Sequence, residues 1–420
     1  MRRLISGAGL IAGGSLIGQA VSAGALILLA RVYSPAAFGE FSLVIAIAAV
    51  ISIIASLRLE AAIPLPSGED DALQLARVAL QADAIVGLVG GAVWGVAAQS
   101  EFIWGARVGQ AALAAAFMAA VQVLNQVAIR RKRFTVIAVR NMILPVVMVL
   151  MQGIFLLTPA SPLGLYLGYL ASYILVFAWM FRDSQVDLNV NIGALDMLRE
   201  YRHFPRDLGP AGLLNSLGQQ LPLLIMSGYF SREVAGWFGL TQRALAMPVA
   251  LVGTAIAQVY LARASECLRD DPRGLRRLFS DTSRRLIAFG VAVGVLVGTC
   301  SPWAFPLLLG DPWSEAGVYA AIWAPALTAQ VVGASLSQTL IVLRKTRTQL
   351  AWDASRVGLL IAVAFGIRFG LTPRVGLVCL SGTLVFMYGV LWLINARAVR
   401  ELPDRAEGLT PGPPGGHSVP

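Results

Sequence analysis

Apolar residues recur along this chain in runs of about 20, separated by short segments that hold most of the charged residues. A helix needs about 20 apolar residues to cross the roughly 30 Å of hydrocarbon in a bilayer. The pattern therefore predicts an all-α integral membrane protein with about twelve transmembrane helices. The predicted spans are 5–30, 38–59, 73–99, 106–129, 135–157, 162–182, 207–229, 234–262, 282–309, 316–343, 350–371 and 375–396.

The composition excludes the main alternatives to a membrane protein. Of the 420 residues, 57% are apolar and 13% are charged, against about 25% charged residues in soluble domains. A soluble globular domain, a disordered chain and a coiled coil are therefore ruled out. The first apolar run continues to Ala30, which is too long for the core of a signal peptide, so we predict a retained first span.

The basic residues alternate from loop to loop. Of the 33 Lys and Arg residues, 27 fall on one set of alternate loops and span ends, which leaves 6 on the other set. Cytoplasmic loops of membrane proteins are enriched in Lys and Arg. The split predicts that both termini are cytoplasmic and that the number of spans is even. It also accounts for the net charge of +10 without a nucleic-acid partner.

The spacing of the spans predicts two halves. The longest loop between spans covers residues 183–206, on the predicted cytoplasmic side, and the end of the chain is rich in Pro and Gly. The predicted units are an N-terminal six-helix bundle (1–182), a cytoplasmic linker (183–206), a C-terminal six-helix bundle (207–397) and a disordered cytoplasmic tail (398–420).

A weak internal repeat relates the two halves. The segment 33–43, which follows the first span, is echoed by 230–240, which follows the seventh, and Gly18-Gln19 is echoed by Gly218-Gln219. Both repeats begin on the same side of the membrane. Such parallel repeats predict two bundles around a central cavity, an arrangement typical of transporters. The alternative is chance similarity between two apolar segments.

Polar side chains interrupt several predicted spans. Ionisable residues inside the hydrocarbon are costly and usually mark a substrate or ion pathway. Arg243 and Asp83 each lie about ten residues into a span, and Asp83 is the candidate for ion coupling. The candidates for binding substrate in the cavity are Arg58, Glu60, Arg140, Gln219, Gln220, Arg243, Gln258 and Arg356.

Structural roles are the alternative for these residues. Arg58, Arg140 and Arg356 are predicted near span ends, where an arginine can snorkel to the lipid headgroups. Span amides are often hydrogen-bonded between helices. Arg243 is too deep to snorkel, so a functional role is favoured there.

The balance of these charges favours an anionic substrate. Guanidinium groups fork onto phosphate oxygens, whereas a cavity for cations would carry an excess of acids. The sequence contains no P-loop and no dinucleotide-binding glycine motif, and its three cysteines have no metal-ligand spacing. We therefore predict no metal and no cofactor.

Several segments resemble one family. They are Arg31-Val32-Tyr33-Ser34-Pro35 with Phe38-Gly39-Glu40-Phe41-Ser42, Leu57 to Pro66, Asn215 to Pro222, Tyr229 to Ser231, and Ala235 to Arg243 continuing to Tyr260. These segments are similar to signatures of Wzx-type oligosaccharide flippases, including an R-x-E-x-A-I segment at Arg58. That family belongs to the multidrug/oligosaccharidyl-lipid/polysaccharide exporter superfamily. The resemblance covers spans one, two, seven and eight, and extends to the other spans by topology.

The resemblance implies a flippase rather than an enzyme. The implied substrate is an undecaprenyl-pyrophosphate-linked oligosaccharide, moved from the inner to the outer leaflet of the bacterial inner membrane by alternating access. It would serve O-antigen, capsule or exopolysaccharide synthesis, with membrane lipids and polysaccharide polymerase or ligase proteins as partners. The resemblance also implies coupling of transport to a proton or sodium gradient, or to downstream polymerisation. The matched family positions are Arg58, Glu60, Arg243 and Gln258.

Two rival functions remain open at this point. A multidrug or cation antiporter of the same superfamily shares the implied fold. A membrane glycosyltransferase or polymerase fits less well, because the predicted outer loops are short. The lipid II flippases of the superfamily usually have fourteen spans, and the twelve predicted here argue against that branch.

Overall fold

A computed structural model describes residues 2–100, 102–155, 162–187, 194–270 and 272–402. Within these ranges, the side chains of residues 2–8, 10–12, 194–196, 247–255, 269–270 and 272–273 are not described. Most of the predicted tail, from residue 403, and residues 188–193 of the predicted linker therefore lie outside the described residues.

The described chain folds into fourteen α-helices and contains no strand. Twelve helices have at least 21 residues and follow the twelve predicted spans in order, while α7 and α12 are short. The all-α integral membrane fold is therefore confirmed. The helices are α1 (Arg2–Val32), α2 (Pro35–Ala55), α3 (Glu69–Gln99), α4 (Ile103–Arg130), α5 (Phe134–Ile154), α6 (Pro162–Ser184), α7 (Ala194–Glu200), α8 (Gly209–Tyr229), α9 (Arg232–Asp270), α10 (Pro272–Leu309), α11 (Ser314–Leu336), α12 (Gln338–Val342), α13 (Thr346–Ile367) and α14 (Pro373–Arg400).

Ten helical segments of the described chain are long and apolar enough to cross a membrane. The long helices outside that set are α8 and α9. In α8, Asn215, Gln219 and Gln220 interrupt the apolar sequence and lower its hydropathy. Polar residues in a spanning helix usually face a bundle interior or a water-filled cavity, so the low hydropathy of α8 is consistent with a lining role.

Two helix boundaries differ from the predicted spans. α9 continues to Asp270, and α10 begins at Pro272 rather than near 282. The segment between the two apolar runs is rich in Arg and Asp. Apolar length predicts where a chain crosses the hydrocarbon, but a helix can continue into water beyond that limit.

Local sequence explains the first two turns. Ser34 caps α2, with its Oγ accepting a hydrogen bond from the Ala37 N–H at 3.3 Å, and Pro35 occupies the first helical position. After α2, Leu57 and Arg58 adopt left-handed φ angles of 54° and 59°. Such angles are unfavourable for residues other than glycine, so Leu57 and Arg58 form a strained turn after α2.

The chain divides into two compact units. Unit 1 comprises Met1–Met247, Gly298–Ile322 and Asp353–Leu380, and unit 2 comprises Pro248–Val297, Trp323–Trp352 and Ser381–Pro420. Helices α9, α10, α11, α13 and α14 each contribute residues to both units. The division into bundles 1–182 and 207–397 follows sequence order instead, and it stays a prediction.

Close helix packing in unit 1 depends on small residues. Where α3 meets α4, a Cβ on Gly90 would lie 2.8 Å from the Leu113 backbone N, and one on Gly109 would lie 2.5 Å from the Trp94 N. Only glycine allows backbones to approach this closely. In unit 2, polar pairs help to join the helices, as in the 2.7 Å contact between the hydroxyls of Tyr260 and Thr339.

Two adjacent glycines in α3 test this packing. Gly90→Ala should destabilise the protein by about 2 kcal/mol, because backbone atoms of α4 occupy the space of the new methyl group. Gly91 has nothing within 4 Å of its would-be Cβ, so Gly91→Ala should be neutral or slightly stabilising through helix propensity. Thermal unfolding in detergent compares the two variants, and equal melting temperatures would contradict the α3–α4 contact.

Candidate functional site

Unit 1 contains a cluster of arginine and aromatic side chains, here called the arginine–tyrosine cluster. Its members are Phe41, Arg140, Tyr169, Tyr173 and Arg243. The Arg243 Cζ lies 4.4 Å from the centroid of the Phe41 ring, a cation–π contact. The Tyr169 ring packs against Phe41 at 5.8 Å and against Tyr173 at 4.8 Å between centroids. The cluster therefore joins α2, α5, α6 and α9.

The two arginines of this cluster interact with the same tyrosine. Both guanidinium groups interact electrostatically with Tyr173. The Arg140 Nη2 donates to the Asn141 Oδ1 at 2.7 Å. Among the described residues, no carboxylate lies within ion-pair distance of either arginine. Two positive charges without a carboxylate counter-charge, held between helices of a membrane protein, are suited to bind an anion.

A second cluster, the carboxylate pair of Glu60 and Asp83, lies where α2 ends. Asp83 is only 2% exposed, and the Ser56 hydroxyl donates to its Oδ1 at 2.9 Å. The Arg58 Nη1 lies 3.3 Å from the Glu60 Oε1. The Glu60 Oε2 is buried and has no hydrogen-bond partner in the part of the chain that the structure describes. Glu60 and Asp83 also interact electrostatically, so the two acids share one buried environment.

The buried environment perturbs Glu60. Burial raises the pKa of its carboxyl group, and the charge of Arg58 and a backbone hydrogen bond partly oppose that effect. Burial disfavours the charged form because the side chain loses contact with water. Glu60 therefore holds a proton more readily than a carboxyl group in solvent does.

Arg356 occupies a third position. Its Nη2 lies 2.9 Å from the Asp353 Oδ1 and 3.3 Å from the Asn215 Oδ1. The sequence places Arg356 at the opening of a span, but α13 begins at Thr346 and Arg356 is 2% exposed. The snorkelling alternative therefore does not hold for Arg356. A Cβ on Gly218 would lie 2.6 Å from the Arg356 Cζ, so the guanidinium rests directly on α8.

The predicted site residues are only partly brought together. Arg58, Glu60 and Asp83 form one cluster, and Arg140 and Arg243 form another. In α8 of unit 1, Gln219 is exposed and Gln220 is half-buried. Gln258 is exposed and belongs to unit 2, so the structure does not place it with the others.

Sequence reasoning missed the aromatic members of the arginine–tyrosine cluster. Tyr169 and Tyr173 are four residues apart on α6, a spacing that puts both rings on one helix face. That spacing is the signal that was available. It is weak, because an aromatic pair at helical spacing more often belongs to an ordinary core.

An ion-pair triad closes one end of unit 1. The Glu40 carboxylate accepts hydrogen bonds from Arg107 at 2.6 and 2.9 Å, and the Arg232 Nε lies 2.7 Å from its Oε1. Beside this triad, a Cβ on Gly236 would lie 2.6 Å from the Pro35 carbonyl carbon. The backbones of α2 and α9 are therefore in direct contact at this end, which the charge pattern predicts to be the outer one.

Comparison with known proteins gives one family and one fold. A family described as "Polysaccharide biosynthesis protein" matches residues 28–318, well over half of the chain. No curated protein matches the sequence.

Solved structures of transporters share the fold. The lipid II flippase MurJ in an inward closed conformation is 13% identical, with 92% of this chain and 87% of that chain covered and a TM-score of 0.73. An inward-facing multidrug resistance MATE transporter of the MOP superfamily is 14% identical, with 93% and 94% covered and a TM-score of 0.62. A MOP superfamily transporter from Pyrococcus furiosus is 15% identical, with 94% and 96% covered and a TM-score of 0.54.

Proposed function

The chain belongs to the polysaccharide biosynthesis protein family, and from that membership we propose that it is a flippase for a lipid-linked oligosaccharide. The proposed substrate is an undecaprenyl-pyrophosphate-linked glycan, which the protein moves from the cytoplasmic to the outer leaflet of the bacterial inner membrane. Both termini are proposed to face the cytoplasm. The glycan would then reach polymerase or ligase proteins that build a surface polysaccharide.

The arginine–tyrosine cluster carries this proposal. Arg140 and Arg243 lack a carboxylate partner among the described residues, so their charges are available to an anion. A pyrophosphate offers the oxygen pairs that guanidinium groups bind as forks. Tyr169 and Tyr173 add ring faces and hydroxyl groups beside the arginines, surfaces suited to the mixed apolar and polar faces of sugars.

The physical problem is the cost of desolvation. Sugar hydroxyls and a pyrophosphate cannot enter hydrocarbon without replacement hydrogen bonds. Guanidinium, tyrosine and amide groups, including Gln219 and Gln220, would replace the lost water. The polyprenyl tail would stay in the lipid while the helix bundles rock, exposing the headgroup first to one side and then to the other. No covalent bond changes in this process.

A drug antiporter is the alternative function, supported by the likeness in fold to MATE transporters. The charges of the arginine–tyrosine cluster disfavour it, because a cationic compound would be repelled by Arg140 and Arg243. Arg356 does not separate the two functions, since its charge is already balanced by Asp353.

The test is the sidedness of the lipid-linked glycan in a strain that lacks the gene. We expect the glycan to accumulate on the cytoplasmic leaflet and surface polysaccharide to be lost, with both restored by the wild-type gene. The probe is an impermeant reagent that oxidises or labels sugars only at the outer leaflet. Normal surface glycan together with altered sensitivity to cationic compounds would overturn the proposal in favour of the antiporter.

A further inference from the structure

We infer that Glu60 and Asp83 form a proton-binding site that holds one proton in the observed conformation, and that Arg58 governs its release. The use of this proton to drive transport rests on the proposed function. The existence of the site does not, because it is argued from the burial of Asp83, its hydrogen bonds with Ser56 and the Arg58–Glu60 ion pair.

The surroundings of Asp83 favour its neutral form. Asp83 of α3 is almost fully buried, and the one hydrogen-bond donor to its carboxyl group among the described residues is the Ser56 hydroxyl, at 2.9 and 3.1 Å from its two oxygens. An ionised carboxylate at such a site needs several donors or a direct positive partner to offset its desolvation. Asp83 has neither, whereas a neutral carboxylic acid is well satisfied by one hydroxyl.

The charges of Arg58, Glu60 and Asp83 balance only when one of the two acids is protonated. Arg58 and Glu60 form an ion pair whose charges cancel. An ionised Asp83 would add an uncompensated negative charge that repels Glu60, whose Oε2 has no hydrogen-bond partner among the described residues. One proton held on Asp83 restores neutrality, and Glu60 influences its binding electrostatically, so the two acids titrate as interacting groups. The raised pKa of Glu60 agrees with this arrangement.

Three groups, Ser56, Glu60 and Arg58, control the protonation of the carboxylate pair. Ser56 and Glu60 act on Asp83, and Arg58 acts on Glu60. The neighbouring charged groups are engaged elsewhere or exposed. They are Arg77, which donates to the Asp187 carbonyl; Glu69, which pairs with Arg130 and Arg131; and Arg206 and Asp207, which are exposed in the helical turn Phe204–Leu208.

A proton fits this site better than a sodium ion does. A hard metal cation needs several oxygen ligands arranged around it. Both oxygens of Asp83 already face the Ser56 hydroxyl, and the guanidinium of Arg58 occupies one side of Glu60. A proton needs a single acceptor and is not displaced by these contacts.

Arg58 also gives the site a mechanical connection. Its Cζ would lie 3.3 Å from a Cβ placed on Gly212 of α8, so the guanidinium lies between Glu60 and that helix. A shift of α8 relative to α2 would move Arg58. If the guanidinium turned toward Asp83, its charge would favour ionisation there and expel the proton. Helix movement and proton release would thus be linked.

Infrared difference spectra of the purified full-length protein, recorded between about pH 5 and about pH 9, test the site without any glycan. We expect a carbonyl band of a buried protonated acid that Asp83→Asn removes and Ser56→Ala shifts. Glu60→Gln leaves Arg58 unopposed, so the band should disappear at a pH lower by about one unit or more. Arg58→Ala should move that midpoint in the opposite direction. The matched control is Asp70→Asn, an exposed carboxylate on the same helix.

Two results would overturn the inference. A band unaffected by Asp83→Asn would place no proton on the pair, and a band that titrates with added sodium at constant ionic strength would indicate a sodium site. Because the measurement needs no substrate, a failed glycan assay and a failed proton site are distinguished. Melting temperatures of the variants check that each one is folded.

Discussion

Arg243→Ala is expected to reduce transport of lipid-linked oligosaccharide by about 10- to 100-fold. The estimate takes one charge-assisted contact to the pyrophosphate as about 1.5–3 kcal/mol, with tenfold for each 1.4 kcal/mol. The loss should exceed that of an ordinary polar contact, because a hydrogen bond between a guanidinium and a phosphate is charge-assisted. The Arg243 guanidinium also packs on the Phe41 ring, so the substitution removes this cation–π contact as well.

Substitution by lysine separates charge from geometry. Arg243→Lys keeps the positive charge but loses the planar fork and its stacking on the ring, so we expect an intermediate rate, about tenfold below wild type. The control is Arg285→Ala, which removes an exposed arginine and should leave transport unchanged. The measurement is the rate at which glycan becomes accessible at the outer leaflet of proteoliposomes. A wild-type rate in Arg243→Ala would remove the arginine–tyrosine cluster from the substrate pathway.

The fold could be predicted from sequence because lipid imposes a simple rule. Every spanning segment must satisfy its own backbone hydrogen bonds, so apolar length alone specifies a helix and its place in the order. The end of α9 and the start of α10 could not be predicted in this way, because beyond the lipid headgroups a helix can continue in water without apolar residues. The grouping of helix segments into units could not be predicted either. Apolar length carries no information about which helix faces which.

The charged residues of the candidate site could be predicted from the sequence, but the residues that they contact could not. Asp83 and Arg243 stand out in the sequence because each is a charge deep in a span. What each one touches depends on other helices. Ser56 reaches Asp83 across 27 positions, and Asn215 reaches Arg356 across 141. No local pattern encodes these contacts, whereas the Arg58–Glu60 pair, two residues apart, was accessible to sequence reasoning.

Gly236→Ala is expected to have the largest structural effect, because it removes the contact between α2 and α9. The new methyl group would meet the carbonyl group of Pro35, and on the facing helix a Cβ on Gly39 would lie 2.9 Å from the Arg232 carbonyl carbon. Backbone atoms cannot turn aside as a side chain can, so the helices must separate. Separation would also pull Arg232 away from Glu40, which it now approaches to 2.7 Å.

We expect Gly236→Ala to destabilise the observed conformation, in which α2 and α9 are in contact, by about 3 kcal/mol or more. Transport should stop, because the proposed alternating-access cycle requires the two ends of the substrate pathway to close in turn. The melting temperature in detergent should fall as well. Gly228→Ala is the matched control, since nothing lies within 4 Å of a Cβ there, and it should transport and melt like wild type. Wild-type transport and melting in Gly236→Ala would mean that α2 and α9 do not form this contact. A folded protein with normal melting and no transport would instead mean that the contact matters for the cycle and not for stability.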